Sequence, residues 1–116
     1  MKALLILNEA PYGSERTYNG LRLAGSLSRQ PTAQVRVLLI GDAVACAKKG
    51  QQVPSGYYKV ETMLGAAVKH GATVGVCGSC MDARGISESE LSEGARRSSM
   101  DELTAWTVEA DKVLTF

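Results

Sequence analysis

The side chains with reactive chemistry of their own are three thiols, Cys46, Cys77 and Cys80. An odd number cannot form a closed set of intramolecular disulfides. Two of them bracket a CxxC within Cys77-Gly78-Ser79-Cys80-Met81-Asp82-Ala83-Arg84-Gly85. An apolar run ends at Cys77, Gly78 permits a tight turn, and Ser79 with Asp82 has the spacing of an N-cap and its N3 partner. That spacing predicts Cys80 at the first helical position. Unpaired N–H groups and the helix dipole favour negative charge there. A thiol so placed ionises more readily, and the thiolate is the nucleophile. Arg84, one turn on, adds positive charge as a thiolate stabiliser, and Asp82 works against it. Cys80 is thus the candidate nucleophile, Cys77 a candidate assisting thiol. Cys46 lies in the apolar turn Ala43-Val44-Ala45-Cys46-Ala47 and is expected to be a buried structural thiol.

Other chemistries compete for the same residues. A CxxC at a helix start can cycle between dithiol and disulfide. Here no aromatic precedes the pair and no Pro lies within it. The lone His70 with the three cysteines would total four zinc ligands, but a His just before Gly71 suits a helix C-terminus better than a metal. No GxxxxGK[ST], GxGxxG or GxSxG occurs, so neither nucleotide loop nor hydrolase elbow can be claimed. No cofactor and no metal are expected. Glu9 and Asp42 read either as a carboxylate pair or as solvated helix caps. Tyr57 and Tyr58 read as core, loop anchors or interface.

These side chains need elements to hold them. Ala3–Leu7, Val35–Ile40, Thr73–Cys77 and Lys112–Phe116 are short apolar runs without clean alternation, the signature of strands covered on both faces. Helical spacing lies between them: Tyr18, Leu21, Ala24 and Leu27 within about 15–28; Val60, Met63, Leu64, Ala67 and Val68 before the stop at Gly71; Leu103, Trp106, Thr107 and Ala110 after Ser99, which stands in capping-box spacing with Glu102. The alternation predicts a single three-layer α/β domain over residues 1–116: a mainly parallel sheet of about four or five strands with helices on both faces. In such sheets ligands bind beyond the carboxyl ends of the strands. Those ends carry Asn8, Glu9 and Tyr12, then Gly41 and Asp42, then Cys77 to Cys80. Lys48–Tyr57 reads as a long loop able to gate that edge, and Ser92–Ser98, with Arg96 and Arg97, as polar surface.

Composition narrows the partners. With 13 Lys and Arg against 12 Asp and Glu, a formal +1, neither nucleic acid nor an anionic membrane is an expected partner. Five apolar residues follow Met1-Lys2, fewer than the ~7–15 of a signal peptide. Free thiols then fit a reducing cytosol.

Asn8-Glu9-Ala10-Pro11-Tyr12-Gly13-Ser14-Glu15-Arg16, Gly41-Asp42-Ala43-Val44, Gly56-Tyr57-Tyr58 with Met63-Leu64, Cys77 through Ile86, and the tail from Trp106-Thr107 through Ala110 to Phe116 together resemble the DsrE/DsrF-like family, in particular its YchN-like branch. The resemblance covers essentially the whole chain. It implies a small parallel α/β fold assembled into homo-oligomers, trimers or hexamers. It also implies sulfur relay, in which one cysteine carries sulfur as a persulfide between donor and acceptor proteins. By motif position that cysteine is Cys80. The expectation is therefore a possible sulfurtransferase, with Cys80 as carrier and Cys77 assisting. Arg84 would stabilise the thiolate, and Glu9, Tyr12, Asp42 and Ser79 would shape the binding rim. The alternatives are a non-catalytic oligomeric binding module and a dithiol redox protein.

Overall fold

Strands that are apolar on both faces require two covering layers, and the structure, a computed structural model describing residues 1–116, supplies them. Five strands, β1 (Lys2–Leu7), β2 (Gln34–Leu39), β3 (Thr73–Cys77), β4 (Ala95–Ser98) and β5 (Lys112–Thr115), form one sheet in the order β4-β3-β2-β1-β5. Every neighbouring pair is parallel, so all carboxyl ends reach the same edge. The helices are α1 (Arg16–Ser28), α2 (Val60–Lys69), α3 (Gly78–Ala83) and α4 (Met100–Glu109), with a 3-10 helix at Gly41–Ala47 after β2.

Alternation sorts the side chains between the layers. Ala3, Leu5 and Leu7 of β1 and Val35, Val37 and Leu39 of β2 join a core of 21 buried residues with α1, α2 and α3. Leu4 and Leu38 point the other way, beneath Trp106 of α4, with Ile6, Ile40, Leu103 and Ala110 at the margin. The second face is thus roofed by one helix. The sequence expectation of a three-layer, mainly parallel α/β fold agrees with this arrangement.

One element escaped the apolar pattern. Ser92–Ser98, read as polar surface, contains β4, which pairs with β3 from Val74↔Ala95 to Cys77↔Ser98. An edge strand can carry charge on both faces. Here each arginine is matched: Arg96 bonds Glu102 with both terminal nitrogens at 2.7 and 2.9 Å, and Arg97 bonds Asp82 likewise at 2.8 and 2.9 Å. Ser99 caps α4 as its spacing predicted, accepting the Glu102 N–H at 3.2 Å. The Glu102 carboxylate turns to Arg96 and Ser98 instead of closing the box.

The turn into β4 depends on Gly94. Its φ of +86 lies in the left-handed region, and an added Cβ would stand 2.4 Å from the Val68 side chain. Strained backbone and overpacking combine, so Gly94→Ala is expected to destabilise by about 2–4 kcal/mol. Urea midpoints check this; a loss within experimental error would remove Gly94 as a hinge between α2 and β4.

A candidate thiol site at the strand ends

The chain leaves β3 at Cys77 with φ −53 and ψ 116, and the Cys77 Sγ accepts the N–H of Cys80 at 3.4 Å. A thiol, and not the Ser79 hydroxyl, is therefore the N-cap of α3. Ser79 lies within the first turn, its hydroxyl 3.5 Å from the same sulfur. Cys80 consequently sits one turn into α3, not at its first position. Ser and Asp are the favoured caps, which is why the spacing drew the boundary two residues late. Asp82 is not a capping partner either; its carboxylate is clasped by Arg97. Arg97 presses on the Gly78 backbone, where any Cβ would stand 2.7 Å from the guanidinium carbon. Sequence reasoning missed Arg97 because nothing local ties it to a segment 15 residues away.

Cys80 is held from the neighbouring strand. Gly41, at φ +59 directly after β2, donates its N–H to the Cys80 Sγ at 3.3 Å. Arg84 then locks α3 to that corner. Its Nη2 and Nε bond the Asp42 carboxylate at 2.8 and 3.1 Å, and its Nη1 bonds the Cys80 carbonyl at 3.1 Å. Cys77, Ser79, Cys80, Asp42 and Arg84 are thereby gathered at the ends of β2 and β3. Both thiols are half-buried.

The two sulfurs ionise as a pair. Burial pushes the Cys77 thiol up, but hydrogen bonds from the Cys80 side chain, the Ser79 side chain and the backbone of both outweigh it, so the net direction is down. Burial raises Cys80, as does its bond to Cys77; the Gly41 N–H and the Arg84 charge only partly offset this, leaving it raised. The expectation that helix position alone would favour a Cys80 thiolate is corrected: of the two coupled thiols, Cys77 is the one whose ionisation the surroundings favour, and Cys80 the one that holds its proton more firmly. Arg97 is itself held protonated more firmly, first by its bond to the Asp82 carboxylate and least by Cys77.

The other expected rim residues lie elsewhere along the edge. Glu9 pairs with Arg16 at 3.7 Å, and its carbonyl accepts the Thr17 hydroxyl at 2.8 Å. It lines a cavity of about 390 Å³ with Asn8, Arg16, Thr115 and Phe116, beside the β1–β5 boundary where the strand order reverses. Neither a carboxylate pair with Asp42 nor a helix cap forms. Tyr12 hydrogen bonds Gln51, accepts the Val60 N–H at 3.2 Å, and packs 5.9 Å from the Tyr58 ring, which lies 4.2 Å from Tyr18. Tyr57 is exposed.

The Lys48–Tyr57 segment is tethered at its start, at Gly50 and Gln51. The Gly50 and Gln51 N–H groups bond the Glu61 carboxylate at 3.0–3.2 Å. The Gln51 amide bonds the carbonyls of Cys46 and Lys48, both at 2.9 Å. Cys46 is fully buried in the 3-10 helix, as expected. His70 is the exposed C-cap of α2, followed by Gly71 at φ +98. No three His, Cys, Asp or Glu side chains cluster as a metal centre would require, and no helix is long and apolar enough to cross a membrane.

Comparison with known proteins places this arrangement. The Escherichia coli protein YchN is 40% identical over 116 residues, 99% of this chain and 98% of its own. The Methanocaldococcus jannaschii protein MJ0989 is 41% identical over the whole of both chains. The crystal structure of YchN superposes with a TM-score of 0.94 and 40% identity, covering 100% of this chain and 99% of that one. A protein of unknown function from Methanobacterium thermoautotrophicum, MTH1491, shares the fold at a TM-score of 0.78 and 11% identity, over 99% and 98% of the two chains. The profile of the DsrE/DsrF-like family matches residues 1–116 throughout, so the thiol pair and the parallel sheet that presents it are those of a member of the DsrE/DsrF-like family.

Proposed function

We propose that the protein is a sulfur-relay carrier that accepts sulfane sulfur on Cys80 and passes it to a cysteine of a partner protein. One observation carries the reading: the Cys80 Sγ is held by the Gly41 N–H at 3.3 Å, half-buried, beside a second thiol at the carboxyl edge of the sheet. Family membership supports it, since relay is the activity associated with DsrE/DsrF-like proteins.

The chemistry is that of thiol–disulfide exchange. Cys77, the more readily ionised thiol of the pair, takes the proton from Cys80. The Cys80 thiolate attacks the outer sulfur of a donor persulfide, R–S–SH, forming Cys80–S–SH and releasing R–S⁻. The Gly41 N–H stabilises the sulfur as charge develops on it, as a fixed donor aimed at an anion does. Attack on the outer sulfur by an acceptor thiolate completes the relay and returns the charge to Cys80. Arg84 and Asp42 fix the corner, while Ser79, Glu9 and Tyr12 shape the surface on which donor and acceptor dock. The setting is a thiol-preserving cytosol, and the working form is a homo-oligomer of trimeric or hexameric kind.

The test is mass spectrometry after incubation with glutathione persulfide, quenched early by alkylation. Wild type is expected to gain one sulfur, located on Cys80 by peptide mapping, Cys77→Ser to gain it at the same place but more slowly for want of the proton acceptor, and Cys80→Ser to gain none. Labelling that survives Cys80→Ser would overturn the assignment.

A further inference from the structure

The relay reading uses Cys77 as a proton acceptor, yet its placement equips it for more. The two cysteines are the N-cap and third residue of one helical turn, and the Cys77 sulfur already lies 3.4 Å from the Cys80 amide nitrogen. Residues three apart on a helix have Cβ atoms roughly 5–6 Å apart. A disulfide holds its Cβ atoms about 3.5–4.5 Å apart, so closing a bridge draws the two side chains together by about 1–2 Å, an adjustment of the cap residue and not a movement of the sheet. The Gly41 N–H holds the Cys80 Sγ from the side of β2, and that atom becomes the inner sulfur once a persulfide forms.

We propose, on the basis of the relay reading, that Cys77 is a resolving thiol: in the absence of an acceptor it attacks the inner sulfur of the Cys80 persulfide and expels the carried sulfur as hydrosulfide. The new bond is Cys77 Sγ–Cys80 Sγ, and the bond that breaks joins Cys80 Sγ to the outer sulfur. The balance is Cys77–S⁻ plus Cys80–S–SH giving Cys77–S–S–Cys80 plus HS⁻. The carried sulfane sulfur is reduced to sulfide, and the two cysteines are oxidised to the disulfide. Charge and atoms are conserved in a single turnover with no further reactant. Loading leaves the Cys80 proton on Cys77 and the charge on the released R–S⁻; passing that proton to R–S⁻, to give R–SH, frees Cys77–S⁻ for the attack, and the Ser79 hydroxyl at 3.5 Å and the Cys80 N–H both address that sulfur. A carrier with no acceptor thus discharges itself and is left oxidised, unable to reload until a dithiol reductant reopens the bridge.

The experiment follows the loaded protein after excess glutathione persulfide is removed by rapid desalting. Intact mass and bimane-trapped sulfide are read over time for wild type and Cys77→Ser. Serine is itself a favoured N-cap, so the variant retains α3; its circular dichroism and melting curve check this. Wild type is expected to lose the added sulfur, release close to one sulfide per chain and end with a Cys77–Cys80 disulfide located by non-reduced peptide mapping. Cys77→Ser is expected to keep its persulfide at least about tenfold longer, since an attacking group on the same turn has a high effective concentration. A wild-type persulfide as durable as that of Cys77→Ser, or sulfide release without the bridge, overturns the inference while leaving the relay standing. Failure of Cys80 to load in the wild type overturns the relay itself and this inference with it.

Discussion

Trp106→Ala is expected to destabilise the protein by about 3–5 kcal/mol, the range for emptying a large aromatic site in a core. The α1 side of the sheet is covered by three helices and 21 buried residues, so a lost side chain there has many neighbours to share the void. The opposite face has only Leu4, Leu38 and Trp106 fully enclosed, and α4 is its roof. The Trp106 ring lies over Gly75, where an added Cβ would be 3.1 Å from it. Arg36 and Arg96 flank the ring at 5.5 and 5.8 Å. Removing the indole exposes Leu4 and Leu38 to water and takes away the surface on which both guanidinium groups rest. The melting temperature is expected to fall by more than about 10 °C. Trp106→Phe, which keeps a ring over Gly75, is expected to recover most of the loss. A drop below about 1 kcal/mol for Trp106→Ala would mean that α4 contributes little to holding the sheet.

Alkaline pH is expected to act through Cys46. Burial pushes this thiol from its ordinary value of 9.0 up to about 12, with the Thr17 hydroxyl opposing in part. The sign follows from linkage: a group with a raised folded value stabilises fully below its unfolded value and loses that contribution as pH rises toward the folded one. Between pH 9.0 and about 12 the unfolded chain gives up this proton while the folded chain retains it. Stability therefore declines across that window, by up to about 4 kcal/mol at 1.36 kcal/mol per unit of separation. Cys46→Ala should lose about 1 kcal/mol at neutral pH through the missing sulfur. It should also lack this alkaline slope, so at about pH 10.5, where wild type has lost about 2 kcal/mol, the order of stability reverses. Urea titrations of both proteins across the window decide it. Parallel curves would show that Cys46 is hydrated in the folded state.

The Cys46 result also separates the roles of the thiols. Cys46 is fully buried and raised, whereas Cys77 and Cys80 share a half-buried corner held by four hydrogen bonds of known partner. Only the latter pair combines access with a place for negative charge, the two requirements for attack on sulfur.

Local sequence was enough to locate β1, β2, β3 and β5, the three longer helices and the buried state of Cys46, because apolar periodicity is a short-range property that burial enforces residue by residue. It was enough, too, to single out Cys77 and Cys80 and to place Gly41 and Asp42 at the same edge, since parallel strands all end on one side. It did not reveal β4, whose edge position lets Arg96 and Arg97 stand where an inner strand needs apolar side chains. Nor did it reveal which atom caps α3, or that Asp42 belongs to Arg84 and Asp82 to Arg97. The distribution of charge between the two thiols was beyond it as well. Those outcomes rest on hydrogen bonds and charges between residues far apart in the chain, such as Gly41 and Cys80, 39 positions from one another. A helix boundary can be read from its own few residues; the ionisation of a sulfur is set by whichever dipoles the fold brings to within about 4 Å of it.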